Sequence, residues 1–246
     1  MVLGLSSAAA PDAALQELVA AAARKGFAAL GLREGDGHGV SPLDAGPGVR
    51  AALEEAAAAG IRISGYRAGR AGHDLALARL SHTLGAPVVL DGSGGVAARL
   101  ERAIQMAAAG ADVAVVLRGP SVLEEAAFVA SAGLTLAWDA DARHGSLDRT
   151  AESLLQRHPG ELRHIRLLGG GPEAAMHEGA EVGAMMRRLA LEGYQGTLVL
   201  APSTTRYGVA WQRWLGRRGR AWGCGSRHGA PPRESLAADG MEGRDR

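Results

Sequence analysis

Apolar and polar positions follow two alternating patterns along the chain, and both are clearest near its C-terminal part. Leu162–Leu168 has the alternating apolar residues of a strand, and Gly169–Pro172 then interrupts it. Apolar residues recur at helical spacing over Val182–Ala190, and Gly193 ends that helix. Thr197–Leu200 is a short apolar run typical of a buried strand. This order predicts a βαβ unit with two parallel strands.

The same order repeats from the N-terminus onward. The predicted strands are Val2–Ser6, Ala28–Arg33, Ile61–Tyr66, Pro87–Leu90, Val113–Leu117, Leu134–Trp138, Leu162–Leu168 and Thr197–Leu200. The predicted helices are Ala13–Lys25, Pro47–Ala59, Asp74–Leu84, Val96–Ala109, Ser121–Ala132, Leu147–His158, one that contains Val182–Ala190, and Tyr207–Leu215. This strict alternation predicts a (β/α)₈ TIM barrel, which typically needs about 200–250 residues. An open doubly wound sheet is the alternative, but the glycine-rich loop expected after its first strand is absent from the sequence Ser6–Ala10.

Composition and charge place the protein among ordinary globular chains. The 246 residues are 47% hydrophobic and 22% charged, with a net charge of +1. Cys224 is the sole cysteine, so an intrachain disulfide and a cysteine-based zinc cluster are excluded. No apolar run approaches the roughly 18 residues needed to cross a bilayer. The N-terminus also lacks the basic region of a signal peptide, so we expect a cytoplasmic protein without a membrane partner.

The positive charge is concentrated at the C-terminal end. Residues 219–246 are polar and rich in Gly, Pro and Arg, and we expect a disordered tail there, after a barrel that occupies residues 1–218. The chain before residue 216 is slightly acidic. Nucleic-acid binding is therefore not expected, because it requires a basic surface.

Function in such a barrel lies on the loops that follow the strands, where two groups of polar residues stand out. Glu34, Asp36 and His38 follow the second strand, whereas Asp139, Asp141 and His144 follow the sixth. Carboxylates and imidazoles suit Mn, Mg or Zn, but Asp and Gly are also ordinary turn residues, and both interpretations stay open. His164 lies inside the seventh strand, where a core histidine is the simpler interpretation.

Arginines occupy the same ends of other strands. Arg67, Arg118 and Arg166 each end or follow a strand, and their guanidinium groups would form a cationic pocket suited to phosphate or carboxylate. The sequence therefore predicts either a metal centre or an anion site at this end of the barrel.

The chain resembles the xylose-isomerase-like barrel family of sugar phosphate isomerases and epimerases. The residues that carry the resemblance are Gly26–Glu34, Gly60–Ile63, Trp138-Asp139, His164–Arg166 with the glycine-rich loop after it, Glu178–Val182 and Gly193–Gly196. The resemblance covers most of the chain to about residue 215. It implies a divalent metal held by carboxylates and a histidine, and proton transfer next to a sugar carbonyl through an enediolate.

The resemblance also implies roles for single residues. It gives Asp139 as a metal ligand, and together with the strand-end positions it leads us to predict Glu34, Asp139 and Asp141 as catalytic residues, His144 and His164 as further metal ligands, and Arg67, Arg118, Arg166 and His38 as ligands of an anionic sugar derivative. Three positions depart from the family pattern: Arg118, Arg166 and Ala201 stand where metal ligands are expected. Two hypotheses follow, a divergent isomerase or epimerase, and a metal-free barrel that binds an anionic sugar derivative or a protein partner without turnover.

Overall fold

The structure is a computed structural model that describes most of the chain up to residue 200. The described residues are 1–43, 47–92, 94–141, 143, 146–169 and 175–200, with the backbone alone for 47–48 and 175–179. The expected helix Tyr207–Leu215 and the expected tail 219–246 lie outside these ranges.

Eight parallel strands form a closed barrel in chain order, β1 to β8. The strands are β1 (Val2–Ser6), β2 (Ala29–Arg33), β3 (Arg62–Ala68), β4 (Val88–Leu90), β5 (Val113–Leu117), β6 (Thr135–Asp141), β7 (Leu162–Leu168) and β8 (Thr197–Leu200). The helices between them are α1 (Leu15–Lys25), α2 (Pro47–Ala58), α3 (Asp74–Leu84), α4 (Val96–Ala108), α5 (Val122–Ser131), α6 (Leu147–Arg157) and α7 (Ala175–Leu191). The predicted barrel is therefore confirmed, and the open sheet is wrong because β1 pairs with β8.

Glycines end several helices and turn the chain back toward the next strand. Gly26 and Gly85 adopt the left-handed conformation directly after α1 and α3, with φ values of 75° and 57°. Residues with a Cβ rarely adopt this conformation, so glycine after a helix gives a sharp helix end. A short apolar strand follows each time, as the sequence pattern predicts.

The apolar core has two layers. The outer layer lies between the strands and the helices, where residues such as Leu154 of α6 and Ile165 of β7 are fully buried. The inner layer is a small separate cluster inside the barrel, made of Val89, Ala114, Val116 and Ala137. The interior is thus filled with small residues, which leaves space for polar side chains above and below.

Two glycines allow the strands to approach closely inside the barrel. A Cβ at Gly31 would lie 3.1 Å from a methyl group of Val199, and one at Gly65 would lie 2.9 Å from a methyl group of Val89. These contacts are too short for a larger residue, which explains glycine inside a strand.

Two strands continue further than the sequence predicts. β3 extends to Ala68 and β6 extends to Asp141, so Arg67 and Asp139 belong to strands and not to loops. The polar residues suggest strand ends, but the neighbouring strands continue the hydrogen-bonded ladder past them: Arg67 pairs with Val89, and Asp139 pairs with Arg166. The side chains therefore have fixed directions along the barrel wall.

None of the helices within the described ranges is long and apolar enough to cross a membrane.

Candidate functional site

Arg67 is the centre of a charged cluster at the C-terminal ends of the strands. Its Nη1 and Nη2 donate to Oδ1 and Oδ2 of Asp139 at 2.9 and 2.6 Å, and its Nε donates to Asp91 Oδ2 at 2.5 Å. The guanidinium is buried, and Asp139 is only 7% exposed. A bidentate pair of this kind has fixed geometry, so Arg67 and Asp139 hold each other in place.

Asp91 joins a second arginine to this cluster. It follows β4, accepts from Arg67 with one oxygen, and accepts from Arg118 Nη2 with the other. The side chain of Arg118 is 45% exposed, so this guanidinium lies at the surface of the mouth. One carboxylate therefore positions two arginines on neighbouring sides of the barrel.

Arg166 differs from these arginines in its surroundings. Among the residues that the structure describes it makes no ion pair within 4.0 Å, and its Nε is buried without a hydrogen-bond partner. Burial and the nearby guanidinium of Arg67 together lower the pKa of Arg166 to about 10, although Asp139 opposes the shift. Arg166 still carries its charge at neutral pH, in surroundings that disfavour it.

A cavity of about 40 Å³ lies beside Arg166. Arg67, Asp139, Ser6 and Ser64 also line it. One ordered water needs about 10–15 Å³ of such space, so the cavity accepts two or three polar atoms and no more. Ser6 Oγ accepts from the Ala8 N–H at 3.3 Å, and its hydroxyl hydrogen can still donate. The site fits the charged end of a ligand better than a whole sugar.

The loop after β2 forms one side of the mouth. Asp36 Oδ1 accepts from Nε and Nη2 of Arg33 at 3.0 and 2.7 Å, and Asp36 Oδ2 accepts from the hydroxyl of Ser7 at 2.5 Å. The backbone N–H of Arg33 donates to the same hydroxyl of Ser7. This arrangement neutralises Arg33 locally and fixes its guanidinium at the rim.

Glu34, predicted to be catalytic, lies at the rim and holds the next loop. Its Oε2 accepts from the backbone N–H groups of Gly69 and Arg70 at 3.0 and 3.1 Å. The side chain thus ties the loop after β3 to the end of β2. One carboxylate oxygen is engaged in this way, and a catalytic role for Glu34 stays a prediction.

His38, predicted to bind substrate, is buried below this loop and both ring nitrogens are engaged. The Val40 N–H donates to Nδ1 at 3.1 Å, so Nδ1 carries no proton, and Nε2–H donates to the carbonyl of Arg33 at 2.9 Å. Burial lowers the pKa of His38, although the backbone bond to Arg33 and the charge of Asp36 oppose the shift. The neutral ring stabilises the loop, and ligand contact would break one of these bonds.

His164, predicted to be a metal ligand, lies deeper in the barrel, on β7. It pairs in register with Ala137, two residues before Asp139 on β6, and its ring lines the small cavity from below. Burial, together with the charges of Arg62 and Arg163, lowers the pKa of His164 to about 4. The ring is therefore neutral at physiological pH.

The remaining predicted residues are less engaged with the cluster. Asp141, predicted to be catalytic, accepts from the guanidinium of Arg143 at 2.5 Å, toward the outside of the mouth. His144, predicted to bind a metal, lies outside the described residues. The structure thus brings Asp139, Arg67 and Arg166 together, and it separates His38 from them.

The described residues do not fit a divalent cation at this mouth. No group of three His, Cys, Asp or Glu side chains with metal-binding geometry occurs within the described ranges. Asp91 and Asp139 already accept from guanidinium groups, and the unpaired charge of Arg166 repels a second cation. The predicted metal site, which includes His144, stays a prediction.

Sequence reasoning gave Arg33 no role and placed Asp36 in a candidate metal-binding group, whereas the structure pairs these two side chains with each other. Arg33 is the last residue of β2, and Arg67 and Arg166 lie near the ends of β3 and β7. Arg33 also pairs in register with Arg67. This shared position is the signal that would have identified it. No sequence signal identifies Asp91 as the carboxylate that two arginines share.

Comparisons with solved structures show that this barrel has known relatives in fold. It resembles a xylose isomerase domain containing protein from Salmonella typhimurium LT2, with 15% identity and a TM-score of 0.58 over 90% of this chain and 96% of that chain. It resembles a D-psicose 3-epimerase, with 13% identity and a TM-score of 0.60 over 90% and 98% of the two chains. A probable 3-DHS dehydratase from Bacillus anthracis gives 12% identity and a TM-score of 0.65 over 87% and 98%.

Sequence comparison adds nothing to this result: no protein-family model matches the chain, and no curated protein matches it. At identities of 12–15% the structural likeness shows the fold alone. The resemblance to xylose-isomerase-like barrels is thus confirmed at the level of the fold, which is that of sugar epimerases among others.

Proposed function

We propose that the mouth of the barrel binds a small anionic sugar derivative, with guanidinium groups taking the place that a metal ion would otherwise occupy. The phosphate or carboxylate of the ligand enters the cavity beside Arg166, and the uncharged part remains among the loops above. Arg67 and Arg118 supply further positive charge, held in place by Asp91 and Asp139.

The observation that carries this proposal is the state of Arg166. Its Nε is buried and has no hydrogen-bond partner among the described residues, which costs stability because this N–H group has lost its hydration. An oxyanion next to Nε would form a charge-assisted hydrogen bond and would neutralise the charge. The cavity of about 40 Å³ holds two or three oxygen atoms, which matches the exposed oxygens of a phosphate or carboxylate.

A second candidate is proton transfer on the bound sugar, in an isomerase or epimerase reaction through an enediolate. Two observations favour it: the fold is shared with a D-psicose 3-epimerase, and carboxylates lie at the same mouth as the anion site. Asp139 is the nearest base to the cavity, but both of its oxygens accept from Arg67. Glu34 has one oxygen without such a bond and lies at the rim, so it is the better candidate for carrying a proton.

The experiment is a calorimetric titration with ribulose 5-phosphate and, as a matched probe, ribulose. We expect the phosphate ester to bind and the neutral sugar to bind at least tenfold more weakly. Arg166→Met should abolish the difference for the site at the mouth, whereas Arg79→Met removes the same charge from an exposed position on α3 and should leave it unchanged. Equal binding of both sugars, or full binding by Arg166→Met, would refute the anion site.

Turnover is tested separately in D₂O. Proton transfer next to the carbonyl incorporates deuterium into ribulose 5-phosphate, and proton NMR detects the loss of the carbon-bound hydrogen. Exchange that disappears in Glu34→Gln supports the second candidate. Tight binding without exchange leaves a binding protein and excludes the reaction for this sugar.

A further inference from the structure

A second cavity lies at the opposite end of the barrel. The recess has a volume of about 950 Å³ and is surrounded by the loops that lead into β3, β4, β5, β7 and β8. Ligand sites in proteins commonly have volumes of about 300–1,000 Å³. Function in such barrels belongs to the other end, so a recess of this size at the N-terminal ends of the strands needs its own explanation.

Arg62 crosses the opening of this recess. It stands at the start of β3, and its Nη2 donates to Thr197 Oγ1 at the start of β8, at 2.8 Å. β3 and β8 are not neighbours in the barrel, because β1 and β2 lie between them. The guanidinium therefore spans two intervening strands at this end of the barrel, and both Arg62 and Thr197 line the recess.

Arg163 and His164 also line this recess, and its inner end is the part beside His164, which also lines the small cavity of the mouth. The charges of both Arg62 and Arg163 lower the pKa of His164, so both guanidinium groups act on the inner end of the recess. The ring is neutral at physiological pH and offers a hydrogen-bonding group without adding charge. The inner end of the recess therefore has a positive potential together with polar groups.

The acidic residues of the recess do not cancel this potential at its inner end. Asp112 and Glu192 line the recess, and neither contributes to the pKa shift of His164. Glu192 lies 3.6 Å from the guanidinium of Arg188, which neutralises part of its charge. His82 also lines the wall, at the end of α3.

We propose that this recess is a second binding site for a small organic oxyanion, a phosphate or a carboxylate, with Arg62 and Arg163 as its cationic ligands. Thr197 shares the hydrogen bond of Arg62 and completes the polar wall. The site lies at the opposite end of the barrel from the mouth, so it does not depend on the function proposed there. His164 lines both cavities and separates them.

The test is calorimetry with ribulose 5-phosphate and with citrate, on four proteins. The unchanged protein should bind at two sites. Arg163→Met, an exposed substitution that should not affect folding, should weaken one site at least tenfold, and Arg62→Gln should do the same. Arg62→Lys keeps the charge and should retain most of the affinity. Arg166→Met should leave this site intact.

The two proposals fail in different ways. If Arg163→Met and Arg62→Gln each lose one binding site and Arg166→Met has no effect, the site in the recess is supported and the anion site at the mouth is refuted. A single site that Arg166→Met removes refutes the recess. Binding of both probes that neither Arg62→Gln nor Arg163→Met weakens also overturns the proposal, because the two guanidinium groups would then make no contact with the anion.

Discussion

Replacing Arg166 by Met should make the protein more stable while removing the affinity of the mouth for anions. The folded-state pKa of Arg166 is about 10, below its usual value of 12.5, so the unfolded chain holds this proton more strongly. The charge therefore destabilises the fold at every pH below about 10, and the penalty fades as the pH rises toward 12.5.

The size of the expected stabilisation follows from the shift in the pKa of Arg166. The full difference between 12.5 and about 10 corresponds to about 3 kcal/mol. The side chain keeps some contact with water, so we expect Arg166→Met to raise the free energy of unfolding by about 1–2 kcal/mol. Met retains much of the apolar stem, so little packing is lost. For a domain of this size, each kcal/mol shifts Tm by about 2–4 °C.

The assay is urea unfolding at pH 7, with and without ribulose 5-phosphate. The variant should be more stable without the ligand, and the ligand should stabilise it less than it stabilises the unchanged protein, because the site at the mouth is lost. Arg79→Met, on the exposed side of α3, controls for the change in net charge and should alter stability by less than about 0.5 kcal/mol. An Arg166→Met protein that is less stable than the unchanged protein would refute the argument, because it would show that the guanidinium has a stabilising partner.

Three further outcomes follow from the contacts of single residues. His38→Ala leaves the carbonyl of Arg33 and the N–H of Val40 unpaired, and should cost about 2–3 kcal/mol in urea unfolding without changing anion affinity; a loss of affinity at constant stability would contradict this. His164 is neutral in the folded protein, with a pKa of about 4, so stability should fall as the pH drops from 6.5 toward 4, and His164→Asn should flatten that dependence. An unchanged slope in the variant would be the contrary result. Asp139→Leu leaves Arg67 without its bidentate partner and should cost about 3–5 kcal/mol, of which a second substitution, Arg67→Met, should recover part; full additivity of the two losses would show that the pair is not coupled.

The barrel is predictable from the sequence because its signals are local. Apolar residues with a period of two give the strands, and helical spacing followed by glycine gives the helices. The ends of β3 and β6 are not predictable in this way. Arg67 and Asp139 are polar, and their strand conformation depends on the pairing of β3 with β4 and of β6 with β7.

The site is predictable in its position and not in its contacts. Arg67, Arg166 and Asp139 meet at one end of the barrel because parallel strands all present their C-terminal ends there. The partner that each charge selects depends on side-chain reach and on strand register, which sequence spacing does not contain. The histidines show the same limit of prediction from sequence. The ring of His38 is buried with both nitrogens hydrogen-bonded, and the sequence around it does not distinguish this structural role from ligand binding.

The ion pair between Arg67 and Asp139 joins β3 to β6, although β4 and β5 lie between these strands in the cylinder. The pair spans the interior of the barrel, and it limits how deeply a molecule can enter from the C-terminal ends of the strands. Only the charged group of a ligand can reach the depth of this ion pair, so the loops above it must discriminate between one sugar and another. Changes in the length of those loops could therefore alter selectivity while the anchoring charge beneath them remains the same.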